Sequence, residues 1–200
     1  MDRIPLKNEP KLFDAVIQQM QVALGDGLPW LKHVFGKAER VERNISELRQ
    51  YYQKHMHDEP FYTPAVYVGG GKYESIVPDM PDWGNYAFFY LDRRQELGDQ
   101  TKVMPYFRLT GELNLIVYGD SRDIEREDDR NLESIKSDIL QVLGGMNIVD
   151  GRVRWEECYE ESKEVFENYS IREEYGKLLM WPYFAFRFKG TIECESGCVG

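Results

Sequence analysis

The chain has 200 residues, of which 42% are hydrophobic and 14% aromatic, enough to bury a sizeable core in one domain. Its net charge of −10 repels phosphate backbones at long range, which argues against a role in coating duplexes. No window of about 18 apolar residues occurs, so no membrane-spanning helix is expected.

The first segment, MDRIPLKNEP, has no apolar core of signal-peptide length, so a cytoplasmic location is expected. Residues Pro10 to Leu24 read as the first helix. Leu12, Phe13, Val16, Ile17, Met20, Ala23 and Leu24 fall on one stripe of the 3.6-residue period. Asn8 suits the cap, Pro10 the first turn, and Gly25 the left-handed position after the end. The stripe is expected to dock on the chain's own sheet, another subunit being the alternative. Trp30 and Phe35, packed down, would close this helix onto the sheet.

From Gly36 to Glu59 the chain is charged, and this stretch reads as an insertion. Val41, Ile45, Leu48 and Tyr52 allow a surface helix over residues 44–56; an extended arm through Ala38 to Val41 is the alternative. Phe61 to Val68 is strand-like, and Pro64 points to an edge strand or a bulge. Gly69 to Gly71 ends it. Asn85 to Leu91 reads as an aromatic strand, followed by a polar loop from Arg93 to Lys102.

Val103 to Gly119 has the pattern of a central strand. Phe107, Leu109, Gly111, Leu113, Leu115 and Val117 share one face, and Tyr106, Arg108, Thr110, Glu112 and Asn114 the other. Ile116 and Tyr118 make that second face apolar at its end, so cover is expected on both sides there. A similar strand runs from Tyr183 to Glu193. Its apolar face is Phe184, Phe186, Phe188, Gly190 and Ile192; Arg187, Lys189 and Thr191 are expected to face water. Gly111 and Gly190 suggest bulges or close backbone approaches.

Between these strands, residues 119–130 form a charged loop. Asn131 to Leu143 reads as a helix capped by Asn131 or Asp129, with Leu132, Ile135, Ile139, Val142 and Leu143 inward and Gly144-Gly145 after it. Gly151 to Tyr159 is strand-like, with Val153 and Trp155 opposite Arg152 and Arg154. Ser162 to Tyr169 suggests a helical turn, and Tyr175 to Trp181 leads into the last strand. The sum is an α+β fold: a mostly antiparallel sheet with two main helices packed on it, plus a charged insertion. One domain is expected over residues 1–200, with its core at about 10–193, the insertion at 36–59 and a tail at 194–200.

No motif carries chemistry. The triglycine lacks both the P-loop and the dinucleotide pattern and reads as a turn. His55, His57, Asp58 and Glu59 lack the spacing of a metal set, and His33 is distant in sequence. Asp120, Asp123, Glu125, Glu127, Asp128 and Asp129 lack EF-hand spacing, and Arg122, Arg126 and Arg130 interleave with them. The three cysteines, Cys158, Cys194 and Cys198, include no CxxC; free thiols are expected, with a Cys194–Cys198 bridge as the alternative. Arg93-Arg94, and Arg152 and Arg154 with Trp155, are the two basic spots, too short to indicate nucleic-acid binding. No catalytic residue, metal or cofactor is therefore expected, nor a membrane or specific nucleic-acid partner.

The order of elements, with PYFRLTGELNLIVYGD feeding NLESIKSDILQVL and a closing WPYFAFRFKGTIE, resembles tailed-phage and prophage proteins of the tail-terminator or head–tail joining type. LPWLKHVFGKAERV and YTPAVYVGGGKYESIVPD are similar to segments of prophage proteins of that kind. The resemblance implies a non-catalytic virion subunit that assembles into a ring, typically a hexamer, at the tail-tube end and meets other tail or head proteins. It would be made in a cytoplasm and carried in the virion. The competing readings are a metal-dependent enzyme acting on nucleic acid or phosphate esters, and a monomeric protein-binding module.

Overall fold

A computed structural model describes residues 3–43, 61–76, 83–98, 107–124, 131–170 and 182–196. The elements are α1 (Phe13–Gly27), β1 (His33–Lys37), β2 (Glu39–Arg43), β3 (Phe61–Gly69), β4 (Lys72–Ser75), β5 (Tyr86–Leu97), β6 (Phe107–Asp120), a 3-10 turn (Ser121–Asp123), α2 (Leu132–Gly145), β7 (Gly151–Tyr159), α3 (Ser162–Val165) and β8 (Tyr183–Ser196). They form an α+β fold.

The main sheet has five strands in the order β1-β5-β6-β8-β7. Only the β1–β5 pair is parallel. A second sheet orders β2-β3-β4. The period-two pattern of β6 explains the layering. Leu113, Leu115 and Val117 point into a core with Phe184, Phe186 and Phe188 of β8, roofed by Val16, Ile17 and Met20 of α1 and by Ile135 and Ile139 of α2. Ile116 and Tyr118 point the other way, into a core with Phe88, Phe35 and Trp83, closed by Val66 and Ile76 of the small sheet and by Phe166 and Tyr169 after α3. The expected two-sided cover at this end of β6 is present.

Both interior glycines sit beside register shifts. Gly190 pairs with Trp155 where β7 slips between Trp155 and Glu157, and a Cβ there would lie 2.3 Å from the Arg154 carbonyl oxygen. Gly111 pairs with Gln95, next to the slip in β5 between Leu91 and Gln95. The α2 cap is as expected: Asn131 Oδ1 accepts from the Glu133 N–H at 3.0 Å.

Several expectations are corrected. The first helix starts at Phe13 with no capping side-chain hydrogen bond, so Asn8 does not cap it, and it continues through Gly27. Gly25 is helical and buried because Ile4 packs on it: a Cβ would meet Ile4 Cδ1 at 2.2 Å. Trp30 packs against Phe184 in the helix-side core, but Phe35 lies in the opposite core.

Pro64 lies in the middle strand of its sheet, not at an edge; that strand does carry a register shift, but between Tyr67 and Gly69 rather than at Pro64. Its carbonyl accepts from Ile76 N–H, one residue past the end of β4, so the missing Pro N–H points past that end too and costs no ladder bond. Arg93 to Leu97 continue β5 rather than forming a loop, because Gln95, Glu96 and Leu97 pair with Gly111, Thr110 and Leu109. Of the expected tail at 194–200, Cys194, Glu195 and Ser196 belong to β8, paired with Leu109, Arg108 and Phe107. Arg187 is buried, 2% exposed, and does not face water.

Of the two readings for the charged insertion, the described part is extended, as β2. The helix over 44–56, residues 103–106 of the central strand and the Tyr175–Trp181 segment lie outside the described residues.

Leu115 is fully buried between both helices and its strand neighbours. Leu115→Ala should lower unfolding free energy by roughly 2–5 kcal/mol in a urea titration. A loss under about 0.5 kcal/mol, the range of surface changes, would contradict this packing.

Candidate functional site

Two features stand out beyond the apolar cores: a buried polar cluster under α3, and an uncharged groove outside α1.

The cluster follows from strand register. Tyr90 pairs with Asn114, Ile116 with Arg187, and Tyr159 with Arg187, so these side chains share the face away from the helices. Arg187 Nη1 donates to the Tyr90 hydroxyl at 3.3 Å and is ion-paired with Glu167, in the turn after α3. Its guanidinium lies 4.3 Å from the centre of the Tyr159 ring, a cation–π contact. Burial pushes the Tyr90 hydroxyl up to about 12, and the Arg187 charge offsets only part of that. Tyr169 is pushed up by burial as well. Among the described residues, Arg187 Nε and Asn114 Oδ1 have no hydrogen-bond partner. Among the described residues this cover leaves Arg187 only 2% exposed. The cluster fastens the 162–170 segment to the sheet, helped by Ser170: its N–H donates to Tyr62 O at 3.0 Å and its Oγ accepts from Tyr62 N–H at 2.9 Å.

Among the described residues, those singled out for chemistry in the sequence do not converge. Asp120 is engaged by Arg122, whose hydrogen bonds hold its carboxyl below the usual range. Asp123 pairs with Lys32 at 2.6 Å. Glu125, Glu127, Asp128 and Asp129, like His55, His57, Asp58 and Glu59, lie outside the described residues. Among the described residues no three His, Cys, Asp or Glu side chains gather as a metal set. Gly69 to Gly71 make the β3–β4 turn.

Cys158 and Cys194 are free thiols, and burial pushes Cys158 up to about 11, so it is protonated at neutral pH; Cys198 lies outside the described residues. Arg152 and Arg154 are exposed while Trp155 packs on the core from the other face, so the three make no joint surface. Arg154 also pairs with Glu156. No helix among the described residues is long and apolar enough to cross a membrane.

The groove, of about 480 Å³, runs along the outer side of α1. Ala15, Gln19, Val22 and Ala23 form its floor and wall at helical spacing, with Pro10 at one end and Met146 across it. No lining residue is charged, in a chain that is 30% charged. Gln19 pins the facing loop: its Oε1 accepts from Val149 N–H at 2.8 Å and its Nε2 donates to Val149 O at 3.0 Å. The Val149 side chain is left 60% exposed, and Leu12 at the helix start 41%.

The sequence pattern put Ala23 in the inward stripe and left Ala15 and Val22 unassigned. The legible signal was a second run of small or apolar residues on the side of α1 away from Met20 and Leu24. No family model matches the chain, and no curated protein matches it.

The raised hydroxyl of Tyr90 gives a pH dependence. The group ionises near 10 when unfolded and near 12 in place, so its contribution is fully present below pH 10 and is lost as pH rises toward about 12. Urea titrations across that window should show wild type losing more stability than Tyr90→Phe. Equal losses in the two would count against the buried hydroxyl.

Proposed function

We propose that this chain is a non-catalytic structural subunit that works by self-association. The type is the ring-forming tail-terminator or head–tail joining protein that its order of elements resembles. The observation that carries the reading is the uncharged groove on α1 with Val149 and Leu12 exposed at its margins. Small and apolar side chains gathered beside two exposed apolar ones, with no charge in the lining, favour a protein contact over a charged ligand. The first two carboxylates of the acidic loop, Asp120 and Asp123, are already occupied by Arg122 and Lys32, which weighs against a metal-dependent centre there.

Net charge of −10 on each copy opposes association. Assembly should therefore strengthen as salt screens the repulsion. Sedimentation velocity over a range of concentration and salt should show a closed oligomer growing in with salt, or electron microscopy should show the protein at one end of added tail tubes. A strict monomer that neither caps tubes nor binds a virion protein would end this reading.

A further inference from the structure

We infer that the groove on α1 is occupied by the same groove of a second copy, the two α1 helices lying antiparallel about a two-fold axis near Gln19. The inference rests on the self-association reading but not on the ring: a two-fold contact pairs two copies, and closing a cyclic ring would take a second, head-to-tail surface.

An isologous contact presents each patch to itself, so a patch of one charge sign would repel its own image. Each copy carries −10, yet the groove lining carries no charge. It is the kind of surface that can meet itself. The ends of the helix then set the direction. Lys11, exposed, precedes α1 at one end of the groove; Asp26, exposed, lies in its last turn at the other end and on the same side as Gln19 and Val22. Among the described residues neither is in an ion pair.

Antiparallel helices centred on Gln19 put residue 15 against 23 and residue 12 against 26. Lys11 of each copy then stands beside Asp26 of the other, twice per dimer. A parallel arrangement sets Lys11 by Lys11 and Asp26 by Asp26, and aligns the helix dipoles unfavourably. Ala15 and Ala23 face each other across the axis, and two alanines let the helices approach closely. Val149, beside Gln19, meets its own image near the axis, and Leu12 covers the last turn of the partner helix.

The test is sedimentation equilibrium of the full chain at fixed salt, with circular dichroism to confirm folding of each variant. Wild type should dimerise. Asp26→Lys should raise the dissociation constant by roughly tenfold, because two exposed pairs become repulsive. The double exchange Lys11→Asp with Asp26→Lys should restore dimerisation, which a merely structural role at either position would not do. Ala23→Glu should abolish it, by setting carboxylates in the groove. If wild type associates and both Asp26→Lys and Ala23→Glu associate equally well, the groove contact is overturned while self-association stands. If the double exchange associates no better than Asp26→Lys alone, the antiparallel contact is overturned. If wild type stays monomeric at every concentration, the two-fold contact is overturned; the self-association reading falls with it only if that monomer also neither caps tail tubes nor binds a virion protein.

Discussion

The fold depends on the ladder between β6 and β8. All fourteen residues of β6 are paired without a slip, from Phe107 opposite Ser196 to Asp120 opposite Tyr183. This pair supplies the floor of both cores: Leu113, Leu115, Val117, Phe184, Phe186 and Phe188 on the helix side, and Ile116, Tyr118 and Ala185 on the other. The irregularities are pushed outward to β5 and β7, which slip opposite Gly111 and Gly190. A one-residue shift of β6 against β8 would exchange the faces and set Arg187 and Lys189 among the leucines.

Much of this was legible because alternation reports side-chain direction directly. The faces of β6, β7 and β8 and the stripe of α2 read off the sequence as they stand in the structure. Alternation does not report what lies above a face. Arg187 was read with Lys189 and Thr191 as facing water, and it does point away from the phenylalanines. The cover over it comes from Glu167 after α3, the Tyr159 ring and the Tyr90 hydroxyl, brought there by tertiary packing that no local pattern encodes. Pro64 failed for a related reason: its effect depends on which neighbour its missing N–H would have faced, and that neighbour ends at Ser75. Arg93 to Glu96 are polar, yet they are strand because β6 is long enough to pair Gln95, Glu96 and Leu97 beyond the slip. The candidate contact surface was harder still. Ala15 and Val22 show only as a second run of small or apolar residues on α1, and that run becomes a groove once Met146 and Val149 are set across from it.

The sheet edges bear on how copies could meet. The outer edge of β7 carries Arg152, Arg154 and Glu156 and a bulge, devices that discourage pairing with another strand. On β1, the outward N–H of Val34 already donates to Arg3 O, and the Val34 carbonyl accepts from Gln21 Nε2. Those two edges of the main sheet therefore offer little free backbone to another strand.

The paired bonds between Tyr62 and Ser170 join positions 108 apart in sequence. The small sheet's roof over Phe88 is therefore completed by Phe166 and Tyr169, and the floor beneath both layers by β8. A ribosome delivers α1 and β1 to β4 long before either arrives. During synthesis those early segments, and β5 after them, have aromatic faces such as Phe35 and Tyr86 and no complete core to hide them in. Contacts this distant in sequence also make closure slow. The nascent chain thus carries its greatest exposure to misassociation between the emergence of β5 and the emergence of β8, a window set by topology rather than by the stability of the finished fold.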